Sequence, residues 1–244
     1  LLSIILAGFI RFRNRTTVLI FGTMILSKLA VMKKVFFIFS LVMGFSMGLM
    51  AQQNGSGGIK VAKLQYEGGG DWYANPTSVP NLIDFIKNNS NIQVDPEEYV
   101  VKPGGTQIFQ YPYVYMTGHG RFLLSDEEAK NMRSYLSAGG FLHIDDNYGM
   151  DKYVRTEMKK VFPELDFVEL PFDHPIYHSQ YDFNKGLPKV HEHDQKPPQG
   201  LALIWEGRVA CYYTFECDLG DGWEDQRVHN DNEEVRQLAL QMGT

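Results

Sequence analysis

Residues fit for chemistry fall in three places along the chain. His119 stands between Gly118 and Gly120, so a titratable ring sits where backbone can approach closely. Asp145 and Asp146 are adjacent carboxylates at the end of an apolar run, Phe141 to Ile144, and either suits a general base or a metal ligand. Successive side chains of an extended segment point opposite ways, so one of the two faces a pocket and the other caps the next turn. His191 and His193 flank Glu192 and share one face if that segment is extended, as metal ligands do, and His174 lies in the same histidine-rich stretch. No HExxH or other complete zinc pattern accompanies them. Each group also has an ordinary reading: a turn histidine bonded to backbone, or a carboxylate accepting N–H bonds from its own turn. His143, inside an apolar run, reads as a core histidine, and Cys217 beside Asp218 is the weakest candidate, a nucleophile lacking an evident base.

The elements that must position these groups are legible around them. Tyr113 to Met116 is a short β-branched and aromatic run that breaks at Gly118-His119-Gly120, as a buried strand does. Ser125 followed by Glu128 is a capping box, Ala129, Met132, Tyr135 and Leu136 recur at helical spacing, and Gly139-Gly140 ends the helix. Phe141 to Ile144 is then a second strand. Parallel strands joined by a crossover helix end on one edge of their sheet, so His119 and Asp145-Asp146 are expected to be neighbours that share a ligand.

Upstream, a strand from Ile59 to Tyr66 runs into Gly68-Gly69-Gly70-Asp71-Trp72. That turn has neither the GxGxxG spacing nor a phosphate-loop lysine, so it is a plain tight turn or a pocket wall carrying Asp71 and Trp72. A helix over Leu82 to Ile86 is capped by Thr77 or Ser78, and Val94 with Tyr99 to Val101 suggests an interrupted strand. Downstream, Lys152 to Phe162 reads as a helix closed by Pro163, and Phe167 to Leu170 as a strand. Pro171 to Pro198 is an irregular Pro/His/Asp-rich excursion holding four of the seven histidines. Leu201 to Trp205 and Val209 to Phe215 form a hairpin about Glu206-Gly207. Asp218 to Asp225 is an acidic glycine loop. Asp231 with Glu234 reads as a second capping box, opening a helix with Val235, Leu238, Ala239 and Met242 on its apolar stripe and Gly243 as its cap.

The 244 residues divide unevenly. Residues 1–31 are apolar runs broken by Arg11, Arg13, Arg15 and Lys28, each too short to span a bilayer, and read as an over-extended gene start or apolar leader in preference to a membrane anchor. Residues 32–51, Lys33-Lys34 followed by Val35 to Leu49 and Ala51, match a secretory signal peptide cleaved near Ala51. Residues 52–57 are a linker and 58–244 one α/β domain, without a stable membrane span in the mature chain and placed in the periplasm or outside the cell. The mature part holds 17 Lys/Arg against 29 Asp/Glu, a net charge of −12, which leaves no basic patch for nucleic acid. If Arg208 to Cys217 is one strand, Cys211 and Cys217 are roughly 20 Å apart and stay free thiols.

GGGDWY (68–73), TGHG (117–120), LSDEE (124–128), GGFLHIDDNYG (139–149), LPFDHPIYH (170–178) and DLGDGWED (218–225), in this order, resemble domain-of-unknown-function family 4159 over about residues 58–244. That family resembles the class I glutamine amidotransferase-like fold, and GLP (186–188) with GRV (207–209) is further similar to trehalose-utilisation-type domains. The resemblance implies a flavodoxin-like three-layer sandwich with a mostly parallel central sheet. Where amidotransferases carry a nucleophilic cysteine after the strand matching Phe141 to Ile144, this chain has Asp145-Asp146-Asn147, so no amidotransferase chemistry follows. The motifs at the sheet's carboxyl edge make Asp71, Trp72, Asn147, Tyr148 and Trp223 the expected ligand contacts. The resulting expectation is an exported binding or scaffolding module of the cell envelope for a small molecule or glycan. The alternative is a hydrolase acting on carbohydrate or an envelope polymer through His119 and Asp145 or Asp146, with a divalent metal as its cofactor.

Overall fold

The computed structural model describes residues 57–244, apart from Glu192 and Asp194 and the side chains of Asp146 and Asn147. The expected leader, signal peptide and all but the last residue of the linker lie outside the described residues.

Seven strands form one sheet in the order β2-β1-β3-β4-β7-β6-β5. They are β1 (Ile59–Leu64), β2 (Val94–Val101), β3 (Tyr113–His119), β4 (Phe141–Tyr148), β5 (Val168–Glu169), β6 (Gln199–Trp205) and β7 (Arg208–Phe215). β2, β1, β3, β4 and β7 pair in parallel, and β6 alone is reversed, antiparallel to both its neighbours. The parallel part follows the doubly wound order in which the chain starts centrally, steps outward, and crosses back.

Alternation along the strands separates two cores. Val61, Tyr115, Ala202 and Tyr212 face one way, onto α1 (Ser78–Asn89) and onto Ala239 and Leu240 of a C-terminal helix, α6 (Glu233–Met242). Ala62, Leu64, Val114, Met116, Leu142 and Ile144 face the other, onto α2 (Asp126–Ser137) and α3 (Asp151–Val161). Helices cover both faces, so the inner parallel strands β1, β3, β4 and β7 are buried on both sides as such sheets require, while β2 forms a half-exposed edge.

The expected βαβ unit is present: β3 and β4 pair in parallel from Tyr113↔Phe141 to Gly118↔Asp146, with a register shift before His119↔Tyr148. The helix between them opens on the Ser125–Glu128 capping box. The β6–β7 hairpin turns at Glu206 and Gly207, both at positive φ (49° and 80°), the pairing of a tight turn whose twist matches the strands.

Several boundaries differ from expectation. β2 is one strand from Val94 to Val101, but its pairing with β1 is interrupted as expected: the register jumps from Ile59↔Val94 to Val61↔Glu98 across Pro96, which an edge strand tolerates. β5 is only two residues long. The acidic glycine loop contains a short buried helix, α4 (Leu219–Trp223), followed by α5 (Gln226–His229). α6 is capped by Asn232, whose side chain accepts the Glu234 N–H, and not by Asp231. On that helix Leu238 is exposed while Ala239 and Leu240 are buried. Among the described residues, no helix is long and apolar enough to cross a membrane.

Candidate functional site

The loops after β1, β3, β4 and β7 meet at the carboxyl edge of the parallel strands, where ligands of such sheets bind. Strained backbone is concentrated there. Asn75, Tyr148, Glu216 and Asp218 all hold positive φ (57°, 147°, 60° and 55°), conformations that cost of order 1–3 kcal/mol each.

Beneath the edge runs a buried polar rail. The Tyr113 hydroxyl lies 2.7 Å from His143 Nδ1, His143 Nε2 lies 3.0 Å from Thr214 Oγ1, and Thr214 donates to Asp145 Oδ1 at 2.6 Å. Asp145 is wholly buried. It also accepts the N–H of Leu219 (3.2 Å) and of Gly220 (2.7 Å), and the Tyr115 hydroxyl at 3.3 Å. With Asp145 ionised the hydrogens run one way, from tyrosine to histidine to threonine to carboxylate. Burial pushes the Asp145 pKa up to about 6, against the lowering effect of Thr214 and the two backbone N–H groups. Burial alone pushes His143 down to about 3, so the ring is neutral. Asp145 thus holds the first turn of α4 in place of a side-chain cap. Gly220 is required there, since a Cβ would overlap the Tyr115 hydroxyl and crowd Asp145.

His119 takes a different partner from the one expected. Its Nδ1 lies 3.1 Å from Asp71 Oδ2, and its backbone N–H donates to Asp71 Oδ1. The pair is open to solvent, with 54% of the His119 side chain exposed. Gly118, at φ +136°, allows the approach, because a Cβ would overlap the Tyr66 hydroxyl and the Asp71 carbonyl. Trp72 packs edge-on to Tyr73 and against the core beside it. Asp146 is in register with Gly118; its side chain and that of Asn147 lie outside the described residues.

Between the ends of β4 and β7 opens a cleft of about 250 Å³ lined by Tyr148, Gly149, Asp151, His193, Lys196, Phe215 and Glu216. The Tyr148 ring is half exposed and stacks on His193 with centroids 4.8 Å apart. His193 Nε2 is fixed by Asp218 Oδ2 at 2.5 Å. Glu216 faces Lys189 at 3.6 Å and Lys196 at 4.0 Å. Trp223 is not part of this surface. It is fully buried, donates its Nε1–H to the Ala239 carbonyl at 2.8 Å, and packs on Tyr115 and His143.

The expected grouping of His174, His191 and His193 does not assemble. His174 accepts the Ile176 N–H at 3.2 Å within its own turn, and His193 belongs to the cleft. His191 instead meets Asp221 (Nδ1 to Oδ2, 2.8 Å) and Asp231 (Nε2 to Oδ1, 2.9 Å). The Asp221 hydrogen bond raises its pKa to about 9, with Asp231 adding to it against burial, so the cluster favours positive charge at this point. His229 stands beside them. Asp221, Glu224 and His229 have no short-range signature. The legible hints were the acidic DLGDGWED run and a histidine five residues after its Glu224.

Cys211 and Cys217 are free and buried, and burial raises both thiols, so neither is poised as a thiolate.

The family model for the domain of unknown function DUF4159 matches residues 60–244. The chain belongs to that family. The match covers all of the sheet but its first residue, both helical layers and every site group described above. No curated protein matches the chain.

Proposed function

We propose that this member of the DUF4159 family is an exported ligand-binding module of the cell envelope, a class I glutamine amidotransferase-like shell without the cysteine nucleophile, which takes a glycan or small polar ligand at the carboxyl edge. The observation that carries the reading is the Tyr148 cleft. An aromatic face at Tyr148 and Phe215 borders carboxylates at Asp151 and Glu216 and an ammonium at Lys196. Aromatic rings take the apolar face of a sugar, and the charged groups take its hydroxyls. Tyr148 and Glu216 are held at costly positive φ, which fixes their positions before any ligand arrives.

Where the resemblance to amidotransferases would put their nucleophile, Asp145 has four donors on its two oxygens and no exposed surface. A group so enclosed does not reach a substrate. The small-molecule scale of the cleft matches an oligosaccharide unit better than a protein partner, whose interface would need a far larger area.

The test is a binding screen of the purified chain against glycans and peptidoglycan fragments, with Tyr148→Ala as the control. Saturable binding that weakens at least about tenfold in Tyr148→Ala, roughly 1.4 kcal/mol, supports the reading. Binding indifferent to that change removes it. N-terminal sequencing of native protein that found a start near Gln52 would support export, and an intact Met32 would remove it.

The hydrolase reading survives on one observation, the solvent-open Asp71–His119 pair, in which a carboxylate orients an imidazole as in acid–base catalysis. Turnover of a bound glycan that disappears in His119→Ala, with binding intact, would replace the first reading by the second.

A further inference from the structure

We infer that His191, Asp221, Glu224 and His229 form a structural binding site for a divalent transition-metal ion of the zinc class. The site lies on α4, α5 and the excursion. It is separate from the Tyr148 cleft and from the Asp71–His119 pair, and it stands whether or not the ligand reading above holds.

Donor atoms of His191, Asp221 and His229 all lie within 4.8 Å of one another. A tetrahedral ion with bonds of about 2.1 Å holds its ligands about 3.4 Å apart, so a small inward movement closes the set. Glu224 lies outside that convergent set but pairs with His229, its Oε2 standing 2.9 Å from His229 Nε2, and would complete the four ligands by turning inward. The two rings face each other at 5.1 Å between centroids and 65°, edge toward face. Two imidazoles with two carboxylates suit zinc and its neighbours better than calcium or magnesium, which take oxygen ligands almost exclusively.

The second argument lies in what holds these donors. In metal sites the ligating histidine gives its other N–H to a carboxylate, and ligating carboxylates are themselves hydrogen-bonded. Here His191 Nε2 faces Asp231 Oδ1 at 2.9 Å, and Nδ1, on the opposite side of the ring, points at Asp221 Oδ2 (2.8 Å), where the ion would enter between them. Asp221 Oδ1 accepts from the Asn75 side chain, and Glu224 Oε1 accepts from the Thr77 hydroxyl (3.3 Å) and N–H (3.4 Å). Asn75 is in turn placed by Lys63, a lysine buried within β1, which donates to the Asn75 carbonyl at 3.2 Å and pairs with Glu98 at 3.2 Å. Three carboxylates, Asp221, Glu224 and Asp231, thus converge with side chains only 13%, 5% and 11% exposed. The second Asp231 oxygen is buried without a hydrogen-bond partner among the described residues. Three anions gathered away from water call for more compensating positive charge than the two imidazoles paired with them can supply. The His191 and His229 side chains are 26% and 28% exposed, which leaves an entry path for one.

Such an ion would clamp the excursion to the two short helices, neither of which has enough residues to be stable alone. His193, two residues beyond His191, lines the Tyr148 cleft, so the clamp also sets that wall.

The experiment is Zn²⁺ titration of the chelator-treated full chain by calorimetry, with metal counted by plasma mass spectrometry after desalting. Co²⁺ substitution then reports coordination from its visible spectrum. One equivalent of Zn²⁺ is expected, with a rise in the midpoint of thermal unfolding. His229→Ala and Asp221→Asn should each weaken binding at least tenfold and abolish that rise. Asp231→Asn, a change in a positioning residue, should weaken it by about tenfold while keeping the cobalt spectrum. His174→Ala should leave affinity unchanged. Metal-free circular dichroism of each variant shows whether it is folded, and His229, exposed on α5, is the substitution least able to unfold the chain. Absence of stoichiometric Zn²⁺ binding in the wild type, or equal binding by the wild type, His229→Ala and Asp221→Asn, overturns the site.

Discussion

The rail Tyr113–His143–Thr214–Asp145 and the cluster His191–Asp221–Glu224–His229 both build on histidine and carboxylate and come out as opposite things. In the rail, strands on both sides exclude water and every polar group is hydrogen-bonded, so the histidine is neutral and the carboxylate is a fixed support for α4. In the cluster, the groups sit on short helices and an irregular excursion, carboxylates outnumber imidazoles once Asp231 is counted, and positive charge is favoured. The comparison teaches that residue type nominates a group for chemistry, while access to water and the count of compensating partners decide what it does.

The rail gives the largest predicted effect. Asp145→Ala leaves two backbone N–H groups and two hydroxyls without their acceptor, each worth about 1–3 kcal/mol when buried, so urea unfolding should show a loss of at least about 3 kcal/mol. A loss below 1 kcal/mol would mean that α4 does not depend on this carboxylate, and the contrast would fail.

Acid titration sharpens the same contrast. His143 has a folded pKa of about 3 against an ordinary value of 6.5. Its contribution to stability is complete above 6.5 and is lost as pH falls toward 3, at up to about 1.4 kcal/mol per pH unit in that window. Asp145 acts in the reverse sense. Its folded pKa is raised from 3.8 to about 6, so the folded state holds the extra proton, and its contribution declines as pH rises between those values. Urea melts from pH 3 to 7 should show a flatter acid limb for His143→Gln than for wild type, and an unchanged slope would place the ring in contact with water.

The cleft should respond more weakly in stability and more strongly in binding. Tyr148 sits at φ 147°, which glycine adopts without strain. Tyr148→Gly is therefore expected to stabilise the chain by about 1 kcal/mol in thermal unfolding while removing the ring that a ligand would stack on. A destabilised Tyr148→Gly would mean that the ring supports the edge rather than serving a ligand. Smallest of all is His119→Ala, expected to change stability by no more than about 0.5 kcal/mol, because the pair with Asp71 is exposed and screened.

Much of the scaffold was legible because its signals are local. The Ser125–Glu128 capping box, the Gly139-Gly140 stop and the Glu206-Gly207 turn each lie within a few residues of the element they define. α4 was read as a loop because Leu219-Gly220-Asp221-Gly222-Trp223 carries two glycines in five residues, a poor helix by propensity. What holds it is Asp145, far upstream in the chain. The shift of the α6 cap by one residue has a similar origin, since Asp231 is engaged by His191 and leaves Asn232 to cap the helix. The neighbourhood of His119 and Asp145 at one edge followed from strand topology, but their partners did not, because side-chain pairing depends on contacts that no spacing encodes.

One feature of the sheet bears on how the chain behaves among its own copies. The rim strand β2 carries Asp95, Pro96, Glu97 and Glu98 in succession. Proline offers no N–H to an incoming strand, and three neighbouring carboxylates repel a second rim of the same kind. At the opposite rim β5 is two residues long, too short to template a ladder. The described sheet therefore does not invite another copy to extend it on either side, and a high local concentration of the protein should not drive it into cross-strand fibres.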